Sequence, residues 1–256
     1  MATPSTPSKY LTEQKAFWNV DEATSRLGRV DTISRSEREY EVRADRDFAE
    51  VFSGVTERID SDTTILEIGC GVGRLLTRLL QHTTPKLVIG VDISEGMIAH
   101  ARAALGTRNN VLLTTNSGAD LEILDNASID FAFSNDVFIH VHDIDVMRQY
   151  LDEVRRVLKP RGIFKFNVRH LCLAKMFANS PGGLLAKASY KIGVRSPLKK
   201  TGAALSGFSG LQYRKRDINR LVKDAGLVIT SVTIAAGECR DDNDSIIWCV
   251  CRPASI

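Results

Sequence analysis

Residues 65–76 read ILEIGCGVGRLL, with glycines at 69, 71 and 73 between an apolar run and a new apolar periodicity. Glycine weakens strands and helices alike, so it is expected where the backbone must take a positive φ or pass close to another group. A dinucleotide loop would read G-x-G-x-x-G, its third glycine opening a helix beneath a pyrophosphate. Counted from Gly69 that third position is Arg74, and counted from Gly71 it is Leu76, so the template fails twice. The loop also lacks the Lys-Ser/Thr of a P-loop. What remains is E-x-G-x-G-x-G from Glu67 to Gly73, a spacing suited to a nucleoside without phosphates.

The surrounding pattern alternates strand and helix. Residues 37–58 read as a helix with Phe48, Val51, Phe52 and Val55 at helical spacing. Thr64–Ile68 reads as a first strand and 72–80 as a helix. Lys86–Val91 is a second strand that Asp92 ends. Ser94 caps a helix with Met97, Ile98, Ala101 and Leu105 on one face. Strands at Val111–Thr114 and Ile129–Ser134 follow, then a helix opened by Asp143 and Asp145. Lys159–Gly162 reads as a turn and Ile163–Val168 as a fifth strand. A helix at Asp217–Ala225, closed by Gly226, precedes two β-rich runs joined by a polar turn. This order predicts an α/β fold, a doubly wound, mostly parallel sheet of seven strands with an antiparallel last strand and helices on both faces. It divides as 1–59 N-terminal extension and lid helices, 60–168 core, 169–213 insertion and 214–256 closing helix and hairpin, one domain in all.

The acidic residue at the end of the second strand lies 19 residues beyond Gly73. There it can accept hydrogen bonds from both hydroxyls of a ribose. With it, four ordered segments, ILEIGCGVGR, LVIGVDISEGMIAHAR, SIDFAFSNDVFIHV and YLDEVRRVLKPRGIFKF, resemble the class I S-adenosyl-L-methionine-dependent methyltransferases over about residues 60–168. The resemblance implies the cofactor S-adenosyl-L-methionine, released as S-adenosyl-L-homocysteine. It places Glu67, Gly69, Cys70, Gly71 and Gly73 at the methionine and ribose end and Asp92 on the ribose. Ile93 and Met97 would flank the adenine, and Asn135 would face the methionine portion. Asn116, Ser117 and Gly118 fall where the family carries an acid near the adenine amino group, and which of Asn116 and Ser117 replaces it stays open. Cys70 reads either as a contact or as a small side chain filling a crowded turn. Arg74 reads either as a partner for a carboxylate or as half of a salt bridge on its own helix. Phe17 and Trp18 read either as a lid over the cofactor or as an anchor for a helix.

Methyl transfer from a sulfonium is an in-line displacement with a neutral leaving group, so alignment matters more than an oxyanion hole. A hydroxyl acceptor would call for a general base. His140, after the fourth strand, and His170, after the fifth, are the candidates, with His142 and Asp136 nearby. No carboxylate cluster has the character of a magnesium site, so no metal is expected.

Charge is unevenly spread. From Phe166 to Arg216 there is no Asp or Glu and there are ten Lys and Arg; the net +3 less these ten leaves −7 for the rest of the chain. In LCLAKMF and GGLLAKASYKIGV apolar residues alternate with lysines, as in a cap over a partly apolar pocket or an interfacial helix. The expected acceptor is therefore a small, anionic or partly apolar molecule. Contact of 169–216 with anionic lipid is a second reading. Nucleic acid is disfavoured, because no RNA module is visible and SNDV at 134–137 is not an N/D-P-P-Y/F motif. The polar, Pro/Ser-rich start MATPSTPSKY lacks an apolar signal core, and an odd number of scattered cysteines suggests reduced thiols. Both point to a cytoplasmic protein.

Overall fold

The computed structural model describes residues 9–19, 37–170, 211–235 and 245–254. Most of the basic insertion (171–210), the first eight residues, the turn at 236–244, Cys172 and Cys239 lie outside the described residues. The chain opens with helices α1 (Lys9–Trp18) and α2 (Glu37–Phe52). It continues through β1 (Thr64–Ile68), α3 (Arg74–His82), β2 (Leu87–Asp92), α4 (Glu95–Leu105), β3 (Val111–Thr115) and β4 (Ile129–Ser134). Then come α5 (Ile144–Val157), β5 (Leu158–His170), β6 (Gln212–Tyr213), α6 (Lys215–Asp224), β7 (Leu227–Ala235) and β8 (Ser245–Pro253). The strands lie in the order β3-β2-β1-β4-β5-β8-β7, and the short β6 pairs with the far end of β5. Only β8 runs against its neighbours. The predicted sheet is thus present, with the two-residue β6 as an addition.

Alternation along each strand sorts the core into two layers. Ile65, Val88, Phe131 and Phe133 face α2, α3 and α4, which contribute Val51, Phe52, Leu75, Leu76, Leu79 and Ile98. Leu66, Ile68, Ala132, Phe164 and Phe166 face α5 and α6 through Met147, Leu151, Val154, Ile218 and Val222. Each fully buried side chain of this size contributes roughly 1.5–3 kcal/mol. The expected caps form: Ser94 Oγ accepts from the Met97 N–H, and Asp143 accepts from the Asp145 N–H.

Two expectations are corrected. The helix read over 37–58 ends at Phe52, because Gly54 takes φ +73 and a separate 3-10 turn follows at Thr56–Arg58. The turn read over Lys159–Gly162 is instead the irregular start of β5. Two residues along β4, Ile129 to Phe131, match five along β5, Leu158 to Ile163. Pro160 donates nothing to a ladder, so it fits at such an irregularity. Gly162 lets the bulge close on β4, since a Cβ there would lie 3.0 Å from the Ile129 carbonyl oxygen.

No helix among the described residues is long and apolar enough to cross a membrane.

Candidate cofactor and acceptor site

The carboxyl ends of β1, β2, β3 and β4 converge on one rim, as open α/β sheets require of a binding crevice. The loop after β1 is folded by its glycines. Gly69 has φ +75, and a Cβ there would lie 2.0 Å from Val137 Cγ2, so the turn after β4 occupies the space a side chain would need. The Gly69 and Cys70 N–H groups both donate to the Val91 carbonyl, which ties the loop to the end of β2. Asp92 completes the tie: one carboxylate oxygen accepts the Gly71 N–H at 2.8 Å and the other the Ser94 N–H at 2.9 Å. Burial pushes the Asp92 carboxyl up, and the N–H groups of Ser94, Gly71 and Ile93 pull it back part of the way.

Glu67 is the most confined charge on the rim. It is 3% exposed, and its Oε2 is buried with no hydrogen-bond partner. Burial raises its carboxyl well above the usual carboxylate range, Arg74 opposes the shift and Asp92 adds to it. Arg74, at the start of α3, bridges to Asp47 of α2 at 2.8 Å rather than along its own helix. Its Nη1 is likewise buried without a partner. An unpaired carboxylate oxygen and an unpaired guanidinium nitrogen therefore flank the glycine loop, and each costs ~1–3 kcal/mol or more if left so. Cys70 is 4% exposed, burial raises its thiol well above the usual range, and its Sγ fills the space beside Gly90.

Beyond β3, Asn116 is turned inward. Its amide donates to the Asp120 carbonyl at 2.9 Å and to the Tyr150 hydroxyl at 3.1 Å, and its oxygen accepts the Gly118 N–H at 3.3 Å. Ser117 is exposed, and its hydroxyl donates to Asp120. Gly118 packs closely on Ile93, whose Cδ1 would be 2.6 Å from a Cβ, while Met97 is buried on α4.

Helix α1 spans this rim. Lys15 pairs with Glu95 at 3.3 Å, and Asn19 accepts the Gly96 N–H at 3.4 Å. The side chain of Leu11 reaches toward Gly118. The Tyr10 ring stands edge-on to His142 at 4.3 Å, and Trp18 lies 5.3 Å from His140 while its Nε1 donates to Gln14. Trp18 thus bonds within its own helix and lies against the loop after β4. His140 itself closes a turn, its N–H donating to the Val137 carbonyl. His170, at the end of β5, has a buried Nδ1 without a partner among the described residues; burial and the Lys215 charge lower its pKa.

Three residues, Asp47, Lys165 and Asn167, escaped the sequence reading, and Asp136, named there only beside the base candidates, proves to be held tightly. Asp47 is 6% exposed and gathers Arg43, Arg46, Arg74 and, at 3.5 Å, Asn135. Its signal was its position on the Ala44–Val51 stripe of α2, where an acid breaks an apolar face. Asp136 holds φ +61, with its N–H donating to Asn167 Oδ1 at 2.8 Å and its carboxylate accepting from Asn167 Nδ2 at 2.8 Å. Asn167 and Lys165 alternate with Phe164 and Phe166 and so look solvent-facing, yet they are 2% and 8% exposed, Asn167 against the loop after β4 and Lys165 against α2. The Lys165 ammonium donates to the Glu50 carbonyl, and burial lowers its pKa.

Residues 65–162 match the family model described as a methyltransferase domain. The chain is 36% identical over 100 residues to malonyl-[acyl-carrier protein] O-methyltransferase of Hahella chejuensis, covering 38% of this chain and 33% of that one. It is 30% identical over 107 residues to probable methyltransferase ltbC of Aspergillus luteorubrus, covering 39% and 37%. The chain thus spans about a third of the length of the curated relatives it matches. A solved geranyl diphosphate C-methyltransferase from Streptomyces coelicolor, in complex with S-adenosyl-L-homocysteine, superposes with a TM-score of 0.64 at 14% identity, covering 98% of this chain and 100% of that one. That similarity speaks to the fold.

Proposed function

We propose, from the premise that residues 65–162 belong to the methyltransferase-domain family, that this chain binds S-adenosyl-L-methionine and methylates an O or N of a small, anionic or partly apolar metabolite. The observation that carries this reading is the pair of unsatisfied buried atoms beside the glycine loop. The amino-acid end of the cofactor is a zwitterion, an ammonium for Glu67 Oε2 and a carboxylate for Arg74 Nη1. Asp92 accepts the Gly71 and Ser94 N–H groups, one on each oxygen, with the Ile93 N–H also near it, and a carboxylate has about four acceptor sites, which leaves capacity for a ribose hydroxyl. When bound, the cofactor supplies an electrophilic methyl group on sulfonium. The chain's own part is to hold the two ends from β1, β2 and α3 and to shut water out with α1, so that the acceptor meets the methyl in line.

Calorimetry tests the reading directly. S-adenosyl-L-homocysteine should bind and NAD should not; the reverse result overturns it. The binding should also release protons. The raised carboxyl of Glu67 lies above its unfolded value, so in the free protein its ionisation is disfavoured as pH rises through the unfolded range. A bound ammonium favours the ionised form, so affinity should increase with pH up to the free protein's Glu67 pKa. Titrations in buffers of different ionisation enthalpy read that release, and a proton-neutral association would remove Glu67 from the ammonium.

The acceptor contacts are assigned to the acid-free insertion from its sequence. Replacing Lys187, Lys191, Lys199 and Lys200 with Gln should raise the acceptor KM and blunt its salt dependence, because exposed charges are screened over ~8–10 Å. Affinity for S-adenosyl-L-homocysteine should stay as in wild type. Product release assayed with extracts split into small-molecule, lipid and RNA fractions separates the metabolite reading from its alternatives.

A further inference from the structure

Among the described residues, four further buried polar atoms lack hydrogen-bond partners; the Arg43 and Arg78 Nε atoms lie in ion pairs, and the other two lie on one pair of register-matched residues. Strand β6 pairs parallel with the end of β5, His170 opposite Tyr213. Register partners on adjacent strands stand about 4.8 Å apart and project to the same face of the sheet. Tyr213 is 5% exposed and belongs to the core layer of Phe166 and Val168, yet its hydroxyl has no hydrogen-bond partner among the described residues. The neighbouring His170 Nδ1 is buried and equally unpaired. Buried hydroxyls and imidazoles in native proteins are almost always paired, so two side by side with no partner among the described residues point to a ligand group.

The place suits an acceptor rather than the cofactor. Asn167, three residues before His170, bonds Asp136 at the end of β4, so β5 carries His170 outward from the cofactor rim. The loop after β4 follows alongside: Arg169 Nε donates to the Ile139 carbonyl and the Leu211 N–H to the Val141 carbonyl. That loop presents His140 and His142 to Trp18 and Tyr10 of α1. Rings therefore wall the approach. Lys215 at the start of α6 bears on His170; Tyr213 feels first the phenol of Tyr10 and then Arg148 of α5, a cation that also pairs with Asp145 at the surface.

We infer that His170 and Tyr213 together form the subsite for the acceptor's nucleophilic hydroxyl, and that the acceptor is a hydroxylated aromatic acid. The two groups are complementary to one hydroxyl: Tyr213 donates to its oxygen, and His170 Nδ1 accepts its hydrogen. Burial raises the phenol of Tyr213, which keeps it a donor, and the lowered pKa of His170 keeps the imidazole neutral. In transfer, the acceptor oxygen forms its bond to the methyl carbon and the C–S pair stays on sulfur, which becomes a neutral thioether. The hydroxyl proton passes to His170 Nδ1. This inference rests on the proposed methyltransferase reading.

The test uses the full chain saturated with S-adenosyl-L-homocysteine and two probes, 4-hydroxybenzoate and benzoate. The hydroxylated probe should bind at least about tenfold more tightly to wild type, since a site built to pair a hydroxyl rejects the analogue lacking it. Tyr213→Phe and His170→Ala should each erase that preference while keeping affinity for S-adenosyl-L-homocysteine. Tyr213→Phe should melt no lower than wild type, because it removes a buried group that has no partner. Equal binding of the two probes, binding of neither, or a preference that survives in both variants overturns the inference. So does a marked loss of stability in Tyr213→Phe, which would reveal a protein partner for the hydroxyl. Failure of S-adenosyl-L-homocysteine itself to bind would instead remove the underlying function.

Discussion

Replacing Asp92 with alanine is expected to weaken binding of S-adenosyl-L-homocysteine by at least about tenfold. The carboxylate has two tasks. It holds the glycine loop to β2 through the Gly71 N–H, and it opens the next loop toward α4 through the Ser94 N–H. In the proposed complex it also accepts from the ribose. A hydrogen bond to a charged group contributes roughly 1.5–3 kcal/mol, so one to the ribose gives about one to two decades in Kd. Asp92→Asn is expected to be only a partial remedy. Both oxygens face N–H donors, so the amide nitrogen must oppose one of them. Calorimetry reads the affinity and circular dichroism checks the fold. An unchanged dissociation constant in a folded Asp92→Ala protein would remove the ribose assignment.

Much of this arrangement was legible because it depends on short-range rules. The glycine spacing marks a turn next to a strand end, and Ser94 and Asp143 mark helix starts. Strand alternation separates the two layers, as with Ile65 and Leu66 facing opposite ways. What stayed hidden depends on contacts distant in sequence. Arg74 is a helix-start residue in the sequence, but its partner Asp47 comes from a helix 27 positions earlier. Lys165 and Asn167 occupy alternate positions that would face water in a sheet covered on one side; here α2 covers Lys165 and the loop after β4 covers Asn167. The Lys159–Gly162 segment obeys turn statistics, yet pairing with β4 absorbs it as a bulge because tertiary pairing outweighs a local preference. The unpaired hydroxyl of Tyr213 left no trace in the sequence, since a tyrosine before a helix is ordinary until its register with His170 is known.

The glycine loop yields the sharpest contrast between fold and ligand. Gly69 and Gly71 both hold positive φ, +75 and +51, so alanine at either pays a left-handed cost of roughly 1–2 kcal/mol. Their surroundings differ. At Gly69 a Cβ would overlap Val137 Cγ2 at 2.0 Å, and at Gly71 it would meet nothing within 4 Å. Overpacking of this kind adds typically 1–3 kcal/mol. Gly69→Ala is therefore expected to lose roughly 2–5 kcal/mol, a fall in Tm of about 4–20 °C for a chain of this size. Gly71→Ala should lose only the backbone part, while its methyl enters the open space beside Asp92 and weakens S-adenosyl-L-homocysteine more than it weakens the fold. Val137→Ala removes the overlapping Cγ atoms. The pair Gly69→Ala/Val137→Ala should then melt higher than the sum of the single changes predicts, a positive coupling across a direct contact. Melting curves for the four proteins decide it. Equal losses in Gly69→Ala and Gly71→Ala, with no coupling to Val137, would mean that the turn after β4 does not press on the loop after β1.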